Sequence, residues 1–275
     1  MTESEAVPLP SPAQPDPVQP DPVQPDRWAH LRRHTDARIA LGHAGSGLPT
    51  AAHLAFQAAH AQARDAVHTP LDAAALLAAL EERGWPAVPV TSAATDRAAY
   101  LKRPDLGRQL SEESQRRLSE PVRAPDVVLV IGDGLSGTAV QANAVAVLDA
   151  LIPTLQAAGL RVGPVVVAEQ ARVALGDPVG ALLQARASVV LIGERPGLSA
   201  ADSLGLYLTW EPRPGRVDSE RNCISNVRVG GLAPAAAAAQ AAALLGAMFA
   251  QQRSGIRLDS PAPAAPPELP RADAP

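Results

Sequence analysis

The residues of this chain whose types and spacing could do chemistry gather in two segments. The first is Gly132-Asp133-Gly134-Leu135-Ser136, at the end of an apolar run. Its glycines allow a tight turn, Ser136 can cap a following helix, and free amides at a helix start favour a phosphate or a carboxylate. The second runs from Gly193 to Asn226, opens with Glu194-Arg195-Pro196-Gly197 and holds the only cysteine, Cys223. It reads as a long loop after a buried strand, rich in small polar side chains and suited to lining a pocket. A glutamate at a buried strand end, as Glu194 would be, must be paired or hydrogen-bonded.

Spacing narrows that chemistry. Gly132, Gly134 and Gly137 have the Gly-x-Gly-x-x-Gly spacing, but no acid follows at the right distance to hold a ribose, so the segment reads as a capped strand-to-helix turn rather than a dinucleotide site. All six histidines lie between His30 and His68. The half of the chain carrying both segments therefore has no imidazole for a catalytic triad or a His-rich metal site. Cys223 lacks the same partner, so it reads as a soft pocket-lining residue rather than a nucleophile. No catalytic and no metal-ligating residue is assigned. A stand-alone enzyme using the Asp133 and Ser136 turn stays open as an alternative, as does a non-catalytic docking module. His53 and His60 fall two turns apart on one helical face and read as packing residues. Lys102, Arg103 and Arg108 surround a turn, where anion recognition and a solvated linker are both open.

These segments need elements to position them. Asp126–Ile131 is a fully apolar strand leading through the glycine turn into a long Ala-rich helix that ends near Gly159. Arg161–Ala168 and Ala187–Ile192 are further strands, with a helix over 178–186 between them. Tyr207–Trp210 alternates weakly, and Pro234–Met248 is a closing helix. Continuous apolar strands alternating with helices predict an α/β fold, a Rossmann-like parallel sheet covered on both faces, with ligands outside the carboxyl ends of the strands. Before it, Trp28 to Arg64 reads as helical with a break at Gly42–Pro49, after which Thr50 caps a second helix from Ala51 to Val67. Another is expected over 71–83 with Gly84 at its stop, and a short one over 110–118 capped by Ser111. Residues 86–95 read as irregular. The expected organisation is a proline-rich tail over 1–26, a smaller helical domain over 27–120, an α/β domain over 121–258 and a second proline-rich tail over 259–275. Both tails read as disordered, since eight of the 28 prolines precede Arg27 and six follow Asp259.

Composition sets the outer limits. The chain is 47% hydrophobic but only 3% aromatic, so its core must be Ala, Val and Leu. A net charge of −4 argues against a nucleic-acid partner. One cysteine cannot form an intrachain disulfide, which suits a reducing cytoplasm. No basic residue and no apolar run occur before Arg27, so no secretory leader is expected, and no uninterrupted apolar stretch reaches membrane-spanning length.

Six ordered blocks also resemble a known family. They are residues 56–68, 100–108, 132–136, 193–199, 218–226 and 254–256, and they look like the small (light) subunit of adenosylcobalamin-dependent ethanolamine ammonia-lyase. The resemblance covers about Arg33 to Ile256 and leaves both proline-rich tails out. It implies a hetero-oligomeric carbon–nitrogen lyase that converts ethanolamine to acetaldehyde and ammonia by radical chemistry. It also implies a partner large (heavy) subunit that holds the substrate, and no activity for this chain alone. The family's cofactor contacts carry over to Val173, Glu194 and Cys223. With no histidine in the α/β half to replace the lower axial base, adenosylcobalamin is expected base-on. Enteric members carry an N-terminal helix thought to direct them into a bacterial microcompartment; a Pro-rich repeat stands here instead, which leaves encapsulation open.

Overall fold

Runs of Val, Leu and Ile without a polar break can be buried only where both faces of a sheet are covered, and two such runs set the centre of this one. In the computed structural model, which describes residues 23–120 and 123–259, these runs are β2, Val127–Gly132, and β4, Ala187–Gly193, buried at every position. They pair in parallel, from Val127 opposite Ala187 to Gly132 opposite Ile192. β3, Val162–Glu169, lies parallel on the other side of β2. β1, Ala87–Thr91, lies parallel to β3 at one edge. At the other edge β5, Leu204–Trp210, runs antiparallel to β4, and β6, Arg221–Val227, antiparallel to β5. The six-stranded order is β1-β3-β2-β4-β5-β6. The fold is α/β, as expected, but the sheet is mixed rather than wholly parallel.

Alternate side chains of β2 point into two separate cores. Leu129 and Ile131 join Leu76 and Leu80 of α2 (Ala73–Glu82), Leu148 of α5 (Gly137–Ala157) and Leu245 of α7 (Pro234–Gln251). Val128 and Val130 join Leu118 of α4 (Glu112–Leu118) and Val179 of α6 (Gly176–Leu182). A fully buried Val or Leu contributes ~1.5–3 kcal/mol, so this double coverage is the main stabilisation of the sheet. Among the described helices α5 alone is long and apolar enough to cross a membrane, and half of its apolar window is buried inside the molecule. Its buried face, including Leu148 and Leu151, packs in the first core.

Several local signals act as read. Ser111 accepts the Ser114 amide at 3.2 Å and Ser136 accepts the Ala139 amide at 3.1 Å, capping α4 and α5. Gly84 and Gly159 take positive φ just past the ends of α2 and α5. Other readings are corrected. The irregular segment expected over 86–95 contains β1, whose Pro89 is tolerated because β1 is an edge strand. The long loop expected from Gly193 to Asn226 contains β5 and β6. α3, Arg97–Lys102, was not anticipated. The helix expected from Trp28 is only a 3-10 turn, Ala29–His34. Thr35 is extended and its Oγ1 accepts the Ala37 amide at 3.1 Å, a local bond that competes with helix continuation. α1, Thr50–His68, forms within a residue of its expected bounds.

The chain forms two compact units, one of residues up to Ala58 and one from Ala59 onward. β1 and α4 pack with the sheet, since β1 pairs with β3 and Leu118 lies in its second core. The proline-rich tails lie outside the described residues except for Val23–Asp26 and Asp259.

Candidate functional site

Parallel strands end together when their register is even, and here three of them do. Gly132 of β2 stands opposite both Ala168 of β3 and Ile192 of β4. From β2 the chain passes through α5 to β3 on one side, then returns through α6 to β4 on the other. The crevice at such a reversal is where open α/β sheets take ligands. A pocket of about 460 Å3 opens there, with Tyr100, Leu135, Arg172, Val173, Glu194 and Tyr207 among its lining residues. Clefts of about 450 and 560 Å3 lie near Arg253 and Pro214; Arg108 lines the second, and neither is lined by Val173, Glu194 or Cys223.

Two glycines let the pocket floor close. Gly134 has φ +55°, and a Cβ there would meet the Gly193 carbonyl oxygen at 2.2 Å. A Cβ on Gly193 would meet the Ser136 carbonyl oxygen at 2.1 Å. The turn after β2 therefore lies directly against the end of β4, with the Leu135 amide donating to the Gly193 carbonyl at 2.9 Å.

Asp133 is 3% exposed and ties this turn to the neighbouring loop. It accepts the Gln170 and Ala171 amides at 3.0 and 2.8 Å and the Arg97 guanidinium at 3.1 Å. Burial pushes its pKa up to about 6, against the pull of those amides and of Arg97. Arg97 also donates to the carbonyls of Gly134 and Val67 at 2.9 and 2.8 Å. The Ser136 hydroxyl donates to the Ala201 carbonyl at 2.8 Å while capping α5. Both polar groups of the glycine turn are thus committed to structure, which removes the reading of Asp133 and Ser136 as a catalytic pair.

Of the three cofactor residues expected from sequence, Val173 and Glu194 line the pocket. Val173 opens the 3-10 turn Val173–Leu175 that follows β3. Glu194 follows β4; its Oε2 accepts the Ser203 hydroxyl and the Asn226 amide, the hydrogen bonding that a strand-end glutamate requires. Gly205 makes room for it, since a Cβ there would come within 2.9 Å of Glu194 Oε1. Cys223 lies not on a loop but on β6, opposite Tyr207 of β5. As cross-strand partners the Tyr207 and Cys223 side chains interact, and that interaction pulls the thiol pKa down against its burial. The residue is exposed, yet partial desolvation of the sulfur and the nearby Glu194 carboxylate hold its pKa above the ordinary thiol value. A thiol raised in this way is a poor nucleophile at neutral pH. Cys223 does not itself line the pocket but meets it through Tyr207.

The remaining candidates take structural places. Arg103 pairs with Asp105 at 2.6 Å. The Gly107 carbonyl accepts the Arg172 amide at 2.7 Å, and a Cβ on Gly107 would meet Arg172 and Tyr100 at 2.9 Å. The 102–108 turn therefore supports the pocket wall from behind. His53 hydrogen-bonds Gln57 along α1 at 3.0 Å. Among the described residues no three His, Cys, Asp or Glu side chains converge as a metal centre. Sequence reasoning missed Tyr100, Arg172 and Tyr207 as wall residues. Arg172 was visible only as the neighbour of Val173, and Tyr207 only as a member of a weakly alternating run.

Comparison with known proteins bears on this site. The family described as ethanolamine ammonia-lyase light chain (EutC) matches residues 25–259. The ethanolamine ammonia-lyase small subunit of Azotobacter vinelandii (strain DJ / ATCC BAA-1303) is 53% identical over 235 residues, covering 84% of this chain and 87% of that protein. The protein of the same name from Xanthomonas campestris pv. campestris (strain ATCC 33913) is 52% identical over 84% of this chain and 86% of its own length. That from Ralstonia nicotianae is 52% identical over 84% and 87%. With the match spanning all but the two ends, the chain belongs to the ethanolamine ammonia-lyase small (light) subunit family.

Proposed function

We propose that this chain forms one wall of an adenosylcobalamin site in a hetero-oligomeric ethanolamine ammonia-lyase (EC 4.3.1.7), which converts ethanolamine to acetaldehyde and ammonia. In this reading the large subunit holds the substrate and the other wall, and this chain has no activity alone. The observation that carries it is convergence. Val173 and Glu194 come from loops after different strands yet line one pocket, and Cys223 is held by a third lining residue, Tyr207. The Rossmann-like reading of the doubly wound sheet is supported by the reversal at β2.

The residues suit the proposed ligand. A corrin edge presents methyl groups and neutral amides. Leu135, Val173 and Ile192 offer apolar contact, and the Glu194 carboxylate accepts N–H donors. When bound, adenosylcobalamin supplies radical chemistry through homolysis of its cobalt–carbon bond. This chain's own contribution is to bind and orient: the Gly134–Gly193 contact fixes the floor and the strand end that leads to Glu194, and the Asp133–Arg97 network fixes the loop that leads to Val173. No histidine follows His68, so the cofactor is proposed to keep its own base.

Glu194→Ala tests the assignment. In the assembled enzyme it should raise the Kd for adenosylcobalamin about tenfold, the loss of one hydrogen bond to a charged group. Titration by visible absorbance reads this directly, and an unchanged Kd would remove Glu194 from the site.

A further inference from the structure

Two guanidinium groups lie over one phenol ring at this pocket, and only one of them has a counter-anion. Arg97 Cζ is 4.7 Å and Arg172 Cζ 4.3 Å from the centre of the Tyr100 ring. The ring is fixed, because the buried Tyr100 hydroxyl donates to the Ala171 carbonyl at 3.0 Å. Arg97 is neutralised by Asp133. Arg172 is not: no carboxylate pairs with it among the described residues, and its Nε is buried without a hydrogen-bond partner. A guanidinium carries five N–H donors in a rigid fork, matched in shape to phosphate and carboxylate oxygens. Leaving such a group half-buried and unpaired is costly unless a ligand completes it. The other charges lining the pocket are Glu194 and Arg195. Glu194 is already engaged by Ser203 and the Asn226 amide, so two guanidiniums face one carboxylate there.

Resting on the cobalamin reading above, we infer that Arg172 is an anion-binding residue that takes the phosphodiester of the corrinoid's nucleotide loop. The periphery of cobalamin is otherwise neutral amides and methyl groups, so the phosphodiester is the group that an unpaired guanidinium selects. Gly107 and Tyr100 hold Arg172 in place, which gives the 102–108 turn a purpose beyond packing.

The test uses the enzyme assembled with its large subunit and two probes, adenosylcobalamin and adenosylcobinamide, the second lacking the phosphodiester and the base. Binding is read by visible absorbance. Arg172→Gln should weaken adenosylcobalamin about tenfold or more and leave adenosylcobinamide within about twofold. Arg172→Lys, which keeps the charge, should recover most of the loss. The wild-type preference for adenosylcobalamin should also shrink as KCl is raised, a readout that needs no variant to fold. Equal weakening of both probes, or no weakening, would overturn the inference while leaving the cobalamin reading intact. Unchanged discrimination with lost inhibition by inorganic phosphate would reassign Arg172 to a free anion and overturn it too. A wild-type complex that binds neither probe would overturn the cobalamin reading itself.

Discussion

Asp133 shows how a residue that looks catalytic can be spent on architecture. It sits in a glycine turn at a strand end, where sequence alone leaves a reactive role open, yet the folded chain surrounds it with two amides and Arg97. Asp133→Asn would turn an amide N–H toward donors and leave Arg97 unbalanced, at a cost of ~2–4 kcal/mol. Its pH signature has a definite direction. A folded pKa of about 6 against an ordinary 3.8 means that the native state binds the proton more readily. The contribution of Asp133 to stability is therefore full below about pH 4 and is lost as pH rises through about 6. Urea unfolding of wild type and Asp133→Asn across pH 4–7 should show the gap between them narrowing as pH rises through that window. A gap of constant size would contradict the assignment. At this scale Glu194 was legible, because a polar side chain at the end of a buried run needs a partner. The Asp133–Arg97 network was not, since its members are 36 residues apart and no local spacing links them.

At the scale of elements, the site depends on how closely the turn after β2 approaches the end of β4. Gly193→Ala would place a methyl group 2.1 Å from the Ser136 carbonyl oxygen, a backbone atom that cannot swing aside. It should lower the unfolding free energy by ~3 kcal/mol or more, read by denaturant unfolding. Gly246→Ala is the contrast: Gly246 lies exposed inside α7 with nothing within 4 Å of its added Cβ. That change should stabilise by ~0.5–1 kcal/mol through helix propensity alone. Similar losses at both positions would show that the close approach is not what Gly193 serves. The central strands, α5 and the caps at Ser111 and Ser136 were legible because each rests on a local pattern. β1, β5 and β6 were not. Pro89 breaks the first pattern, and β6 carries Arg221, which reads as a surface residue. Arg221 is in fact buried, forming two 2.7 Å bonds to Asp177 of α6 and one to Thr209 of β5. That pair ties the edge strand bearing Cys223 to the helix beneath it, a long-range device without a sequence signature.

For the whole molecule, the pocket is a one-sided structure. Its wall is built at the carboxyl ends of β2, β3 and β4, its polar groups are held by networks within the sheet unit, and its unpaired cation, Arg172, points to a ligand rather than to a catalytic partner. The single thiol is held in its neutral form, and no imidazole follows His68. Such a surface suits binding and orienting a ligand, and the proposed function assigns the substrate to another chain. The measurement that tests this most directly is ammonia release from ethanolamine with adenosylcobalamin present, using this chain alone, the large subunit alone and the two together. The account predicts turnover only from the pair; turnover by this chain alone, or none from the pair, would contradict it.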